Sequence, residues 1–420
     1  MSGGTIQLLK LGEEDKFLIG NPQITFFKTV YKRHSNFAIG TKRWQFNGVT
    51  NYGNTCSLNI PKDGDLLSGI TLNIELPNLN TDSVLFSYAN SIGHLLIEET
   101  WIEIGGHKIE KIYGDWSEIW SELALDKDKR DGYYEITGKK ERKDFSINSF
   151  NSSIELFLPL NFWFSRNYGL SLPLIGLMYQ DVTLYVKFRK FDHCWISSSL
   201  TKSPTIPSNL KVDILIDYIY LDDDERIKFT TNDQTYLIEQ VQFNRDRYYN
   251  TGTKYVNIDL DFYHPCKELV WVIQRADIYN RSTSGSPTDS DFTYGNDWFN
   301  YSSHKNITTT TIKDSFNTAK LQIDGLDRTE FTKASIYRVL NNYKHHTRIP
   351  SQNIYVLPFA LRPEEHQPTG TFNFTVLDKK KLIINMNNNI DYDFIVKVFT
   401  KSYNIFMVSD GLAALAFDIY

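Results

Sequence analysis

Four consecutive carboxylates, Asp222-Asp223-Asp224-Glu225, supply the oxygen ligands that a hard cation such as calcium takes. The run lacks the glycine and the spaced ligands of a calcium loop, so it reads as a solvated strand end or linker. His345-His346 offers two metal-binding rings, but adjacent side chains diverge on a helix or a strand and make no chelate. They read as exposed loop residues. Tyr294, Trp298, Phe299 and Tyr301 lie among small polar residues, where rings could stack on sugars or anchor a partner. The competing expectation is a long loop packing onto its own barrel. The same stretch holds Asn280-Arg281-Ser282, Asn300-Tyr301-Ser302 and Asn306-Ile307-Thr308, which makes Asn280, Asn300 and Asn306 the glycosylation candidates. Lys28-Thr29-Val30-Tyr31-Lys32-Arg33-His34 interleaves cations with aromatics in the manner of a nucleic-acid contact; the alternative is a first strand whose outer face meets neighbouring subunits. Catalytic signatures are missing: no G-x-S-x-G, H-E-x-x-H, P-loop or G-x-G-x-x-G occurs. The expectation is a non-enzyme with no catalytic residue, metal or cofactor.

The elements that would carry these residues are strands. Ile70, Leu72, Ile74 and Leu76 alternate with polar residues, as do Val182 to Phe188, Val212 to Tyr220, Val256 to Phe262 and Tyr392 to Val398. Period-two alternation puts one face in a core and the other toward solvent or a neighbour. Turn clusters such as Pro61-Lys62-Asp63-Gly64 separate the runs. Helix is scarce. Its clearest instance has Asp115 and Glu118 at capping-box spacing, with Trp116, Ile119, Trp120 and Leu123 on one face. A weaker helix is expected around Phe331 to Leu340.

The pattern occurs twice. Gln45-Phe46-Asn47 returns as Gln242-Phe243-Asn244 at an offset of 197, and Ile70-Thr71-Leu72-Asn73-Ile74 is matched by Leu269-Val270-Trp271-Val272-Ile273 at 199. Ile104-Gly105-Gly106 pairs with Ile323-Asp324-Gly325 at 219, and Leu158-Pro159-Leu160 with Leu357-Pro358-Phe359 at 199 again. Two related domains with one private insertion each would behave this way, after Lys111 in the first and after Arg275 in the second. Antiparallel strands without crossover helices predict an all-β chain of two tandem eight-stranded jelly-roll sandwiches, with short helices in inserted loops. The expected division is an arm over 1–22, a first jelly roll over 23–221, a linker over 222–235 and a second jelly roll over 236–420.

Bulk properties agree. A length of 420 residues exceeds what one core usually supports, and 41% apolar with 23% charged residues is a folded composition. A net charge of −5 with interspersed signs disfavours coating nucleic acid. Cys56, Cys194 and Cys266 form neither a disulfide framework nor a zinc motif, which fits a reducing compartment. The N-terminus lacks signal-peptide regions, and Ser2 stands where myristoylation needs glycine, so a soluble cytosolic chain is expected.

Asn21 to Ala38, NPQITFFKTVYKRHSNFA, resembles the N-terminal signature of the major capsid proteins of nucleocytoplasmic large DNA viruses. His264 to Val272, Gln367 to Phe374 and Gly411 to Phe417 resemble later stretches of that family, in its order. Departures are Thr369 where the family usually has Ser, the basic Lys379-Lys380-Lys381 run, and Asp410 before Gly411. The resemblance implies a structural capsid subunit that forms homotrimers of pseudo-hexagonal outline and tiles an icosahedral shell. It further implies neighbouring capsomers, minor capsid and penton proteins as partners, an arm near an inner viral membrane, inserts decorating the outer surface, and no direct nucleic-acid contact. Localisation would be the virion, after synthesis and assembly in host cytoplasm. The alternatives are a minor or penton-like capsid protein of the same virus type, and a carbohydrate-binding or carbohydrate-cleaving β-sandwich.

Overall fold

The computed structural model describes all residues except 1–2, 10, 14, 16–18, 81–83, 142–143, 147, 199–202, 208–209, 280–293, 304–312, 389 and 418–420. Residues 1–36 and 37–420 are two compact units. The N-terminal unit contains the short helix Gly3–Leu9, and residues 20–36 form neither helix nor strand. Lys28 to His34 therefore forms no strand, contrary to expectation; the first strand is Phe37–Gln45.

The larger unit holds two sandwiches in tandem. In the first half, one sheet runs Phe37–Gln45, Lys211–Leu221, Leu66–Leu76, Ile154–Pro159, and the other Thr55–Asn59, Val182–Phe188, Ile97–Ile104, His107–Tyr113. In the second half the corresponding orders are Gln234–Phe243, Phe394–Ser409, Pro265–Arg275, Tyr355–Pro358, and Tyr255–Asp259, Lys380–Met386, Phe316–Ile323, Leu326–Asp327. Counting eight principal strands along each half, both read 1-8-3-6 in one sheet and 2-7-4-5 in the other. This is jelly-roll connectivity, twice. The four repeated sequence segments fall at matching places: the end of the first strand, the third strand, the turn after the fourth, and the sixth. That turn is a two-residue hairpin loop in both halves, with φ of 58° and 84° at Gly105 and Gly106, and 49° and 85° at Asp324 and Gly325. Positive φ at both central positions matches the twist of the flanking strands, and glycine meets it without Cβ strain.

Each half has its own core, and one sheet serves both. Along Pro265–Arg275 every residue after Pro265 is buried. Leu269, Trp271 and Ile273 enter the second barrel's core, while Val270 and Val272 enter the cluster dominated by the first half. Alternation thus divides side chains between two apolar neighbours instead of between core and water. The first half's counterpart strand, Leu66–Leu76, alternates between buried and partly open positions along most of its outer face.

The expected linker contains the helix Asp223–Thr231. Asp222 is its N-cap, accepting a bond from the Glu225 backbone N–H at 3.0 Å, and Asp223, Asp224 and Glu225 occupy the first turn, where the helix dipole favours negative charge. Cys56, Cys194 and Cys266 are buried free thiols.

Candidate functional site: the seam between the barrels

The helix Gly114–Ala124 follows the fifth strand of the first half and is buried on nearly every side. Its N-cap position is Tyr113, with no side-chain cap bond, so Asp115 and Glu118 do not form the expected capping box. Asp115, Glu118 and Glu122 instead share a stripe at spacings of three and four residues, which places three carboxylates on one face. Each meets at least one cation or polar group of the second half across the junction.

Asp115 pairs with Lys397 at 3.0 Å and Arg189 at 3.5 Å, and accepts the Trp298 indole N–H at 2.9 Å. Burial alone would raise its pKa, but Lys397 and Arg189 outweigh that and hold it below the usual carboxylate range. Glu118 pairs with Lys139 at 2.8 Å and with the His94 ring at 2.8 Å, and accepts from the Gln352 amide at 3.2 Å. Glu122 takes Lys139 at 2.5 Å, the Ser351 N–H at 2.9 Å and its hydroxyl at 2.8 Å. Lys139 and Arg348 hold Glu122 ionised against burial.

A second cluster lies along the same junction. Glu239 receives Arg166 from the first half at 2.7 Å, Lys401 at 2.8 Å, and Lys267. Desolvation opposes its charge, yet Lys401, Arg166 and Lys267 hold its pKa down to about 2. Glu110, which accepts the Trp163 N–H at 2.8 Å, is pushed up to about 7 by burial, with Arg166 pulling the other way. Burial pushes Lys401 down to about 8 despite Glu239. Between these clusters the contact is apolar and aromatic: Trp116 on Phe399 at 5.7 Å, Tyr113 on Phe243 at 5.1 Å, and Trp163 on Phe406 at 5.6 Å. An apolar centre flanked by buried ion pairs fixes one relative orientation of the barrels, because sliding would strand buried charge.

The aromatic loop serves this seam. Trp298, Phe299 and Tyr301 are buried, but against the first half and not on their own barrel. The short strand Tyr294–Gly295 pairs with Trp195–Ser197 of the first half, and Trp298 stacks on His193 at 5.2 Å beneath the Arg189 guanidinium at 3.9 Å. These rings are not a surface for sugars, and neither they nor the helix after Lys111 decorate the outside. Asn300 is 1% exposed and its side-chain carbonyl accepts from Ser302, which leaves no room for a glycan. Asn280 and Asn306 lie outside the described residues. His346 is buried between Glu268 and Glu364, each at 2.9 Å, and is not an exposed loop residue. Burial would lower its pKa, but Glu268 and Glu364 raise it to about 9. His345 points elsewhere, to the Leu361 carbonyl, so the pair makes no chelate. Among the described residues no group of three or more His, Cys, Asp or Glu is placed to hold a metal ion.

Glu110 gives the seam a pH dependence. Its folded pKa near 7 lies above the ordinary 4.5, so the folded chain binds the extra proton and this group's contribution to stability falls as pH rises from about 4.5 to 7. Glu110→Gln keeps an acceptor for Trp163 and cannot ionise. It should match the parent at pH 5 and be more stable at pH 8, by about 1–3 kcal/mol. Denaturant unfolding at the two pH values checks this, and an equal difference at both would contradict it.

The chain matches two family signatures: "Major capsid protein N-terminus" over residues 25–222 and "Large eukaryotic DNA virus major capsid protein" over 225–414. It is 34% identical to the major capsid protein of Pyramimonas orientalis virus and 30% identical to that of Phaeocystis pouchetii virus, in each case over 100% of both chains. Among solved structures it resembles the protein of the PBCV-1 virus capsid, with a TM-score of 0.79 and 27% identity over 94% of this chain and 100% of that one. The Faustovirus major capsid protein shares the fold, with a TM-score of 0.72 at 12% identity over 92% and 93%. With two jelly rolls of identical connectivity joined by a buried seam, and full-length relatives at this identity, the chain belongs to the major capsid proteins of large eukaryotic DNA viruses.

Proposed function

We propose that the chain is a non-enzymatic shell subunit that associates into homotrimers, each presenting six similar barrels in a pseudo-hexagonal outline, and that these capsomers tile an icosahedral capsid. The observation that carries this reading is the pair of barrels with one strand order, held side by side by the buried seam. A threefold object built from such pairs approximates sixfold symmetry, and many modest lateral contacts between capsomers sum to a stable shell. The barrels are assigned to 37–221 and 234–420, joined through 222–233, with the residues before them as an arm. Neighbouring capsomers, minor capsid proteins and penton proteins are the remaining partners, with assembly in host cytoplasm.

The arm is assigned to the inner side of the shell, near a membrane or minor proteins. Deleting residues 1–20 should leave capsomers intact and abolish closed particles. Electron-microscope class averages of the purified deletion variant should show threefold particles with six lobes and no shells. Normal shells from that variant would overturn the arm's role, and particles without threefold symmetry would overturn the capsomer reading.

A further inference from the structure

Inside the chain, one barrel-to-barrel contact is completed and its two counterparts are left open. The completed contact sets the 1-8-3-6 sheet of the second barrel against the region of the first that follows its fifth and sixth strands, through Trp116, Trp120 and Trp163. In that covered sheet, Phe394–Ser409 is buried from Phe394 through Asn404. The same sheet of the first barrel is open: Thr41, Thr71, Leu215 and Asp217 are partly or fully exposed on its outer face. The matching region of the second barrel is open too. On the helical segment Ile336–Leu340 and Asn341–His345, Leu340 and Tyr343 face solvent, Tyr343 at 73% exposure. Leu361, which follows the sixth strand as Trp163 does in the first half, is 71% exposed. The bond from His345 to the Leu361 carbonyl, 2.9 Å, puts these two surfaces side by side.

We infer that the open sheet of the first barrel receives the Tyr343–Leu361 surface of a second copy of this chain, repeating between copies the contact that the seam makes within one. The inference rests on the trimeric reading above and names the faces that meet. Chemistry supports the match. The open sheet carries Asp213, Asp217, Glu75 and Glu155 around Leu215 and Phe157, whereas the apolar spot on the other barrel is flanked by exposed Lys344 and by Arg362, the latter paired with Glu365 at 2.9 Å. Arg43 and Lys211 share the sheet but lie 3.5 Å from Asp213 and 3.1 Å from Glu75, leaving acids in excess there. A cleft of about 440 Å³, lined in part by Ile39, Gly69, Thr71, Pro159 and Asp217, opens on this face and would admit a large side chain. The contact is heterologous, sheet to helix, so copies join head to tail, and the threefold reading above closes them into a ring.

The test places a charge on each side separately, Thr71→Arg on the sheet and Leu361→Asp on the other barrel, and a photo-crosslinking benzoylphenylalanine at Tyr343. Both substituted positions are partly or fully exposed, so the monomer's unfolding midpoint should stay unchanged. Each charge should shift the concentration needed for oligomers upward by about tenfold or more. The crosslinker should capture peptides within Phe37–Gln45, Leu66–Leu76 or Lys211–Leu221 of another copy. Trimers that survive both substitutions, with crosslinks mapping elsewhere, would overturn this pairing of faces and leave the trimer standing. A parent chain that forms no trimer at all would overturn the reading on which the pairing rests.

Discussion

Replacing Glu239 with alanine should destabilise the chain by about 3–5 kcal/mol, the cost of removing one partner from a buried ionic cluster. Glu239 is the common anion for Arg166, Lys267 and Lys401, of which the two lysines are fully buried and Arg166 is only partly exposed. Lys401, already pushed down to about 8 by burial, would lose its largest compensating attraction and shed its proton near neutral pH. Glu239 joins Arg166 of the first half to two lysines of the second, so its loss should weaken the seam before either core. Unfolding followed by two probes, one per barrel, should therefore change from a single transition to two. A single transition shifted by less than about 1 kcal/mol would contradict the cluster's role.

Trp298→Ala should cost about 3–5 kcal/mol, as expected for removing a buried indole. The ring is 2% exposed, and its loss leaves a void between His193 and Arg189 while Asp115 loses a donor. Arg189 and Lys397 would then face each other with less between them, since both lie over the ring, at 3.9 and 5.0 Å. Hydrogen exchange should quicken at Tyr294–Gly295 and at its partner strand Trp195–Ser197. Trp298→Phe keeps an aromatic ring in the site but loses the N–H and part of the ring volume, so it should recover about half of the loss. Unchanged protection in the alanine variant would show that the loop merely rests on the first barrel.

Much of the architecture is legible in the chain because it depends on short-range pattern. Alternation at Ile70, Leu72 and Ile74 marks a strand with one apolar face, whereas its repeat Leu269-Val270-Trp271-Val272-Ile273, read from the sequence as an equivalent strand, is buried on both faces. The repeats locate equivalent strands since each half solves the same packing problem. The seam is less legible because its partners are far apart in sequence. Asp115 and Glu118 have the spacing of a cap, and nothing local reveals Lys397, Trp298 or Gln352 waiting opposite. His346 reads as loop until the fold brings Glu268 and Glu364 to it. The helix Asp223–Thr231 has no buried residue and hence no apolar periodicity to reveal it. One signal was present: Asp222 and Glu225 have N-cap spacing within the acidic run that also resembles a cation site.

Native mass measurement of the full-length chain at micromolar concentration tests most directly whether paired barrels build a threefold unit. A species of three times the 48.8 kDa chain mass, persisting on dilution, is the expected result. A stable monomer, or an assembly of two or four chains, would contradict it.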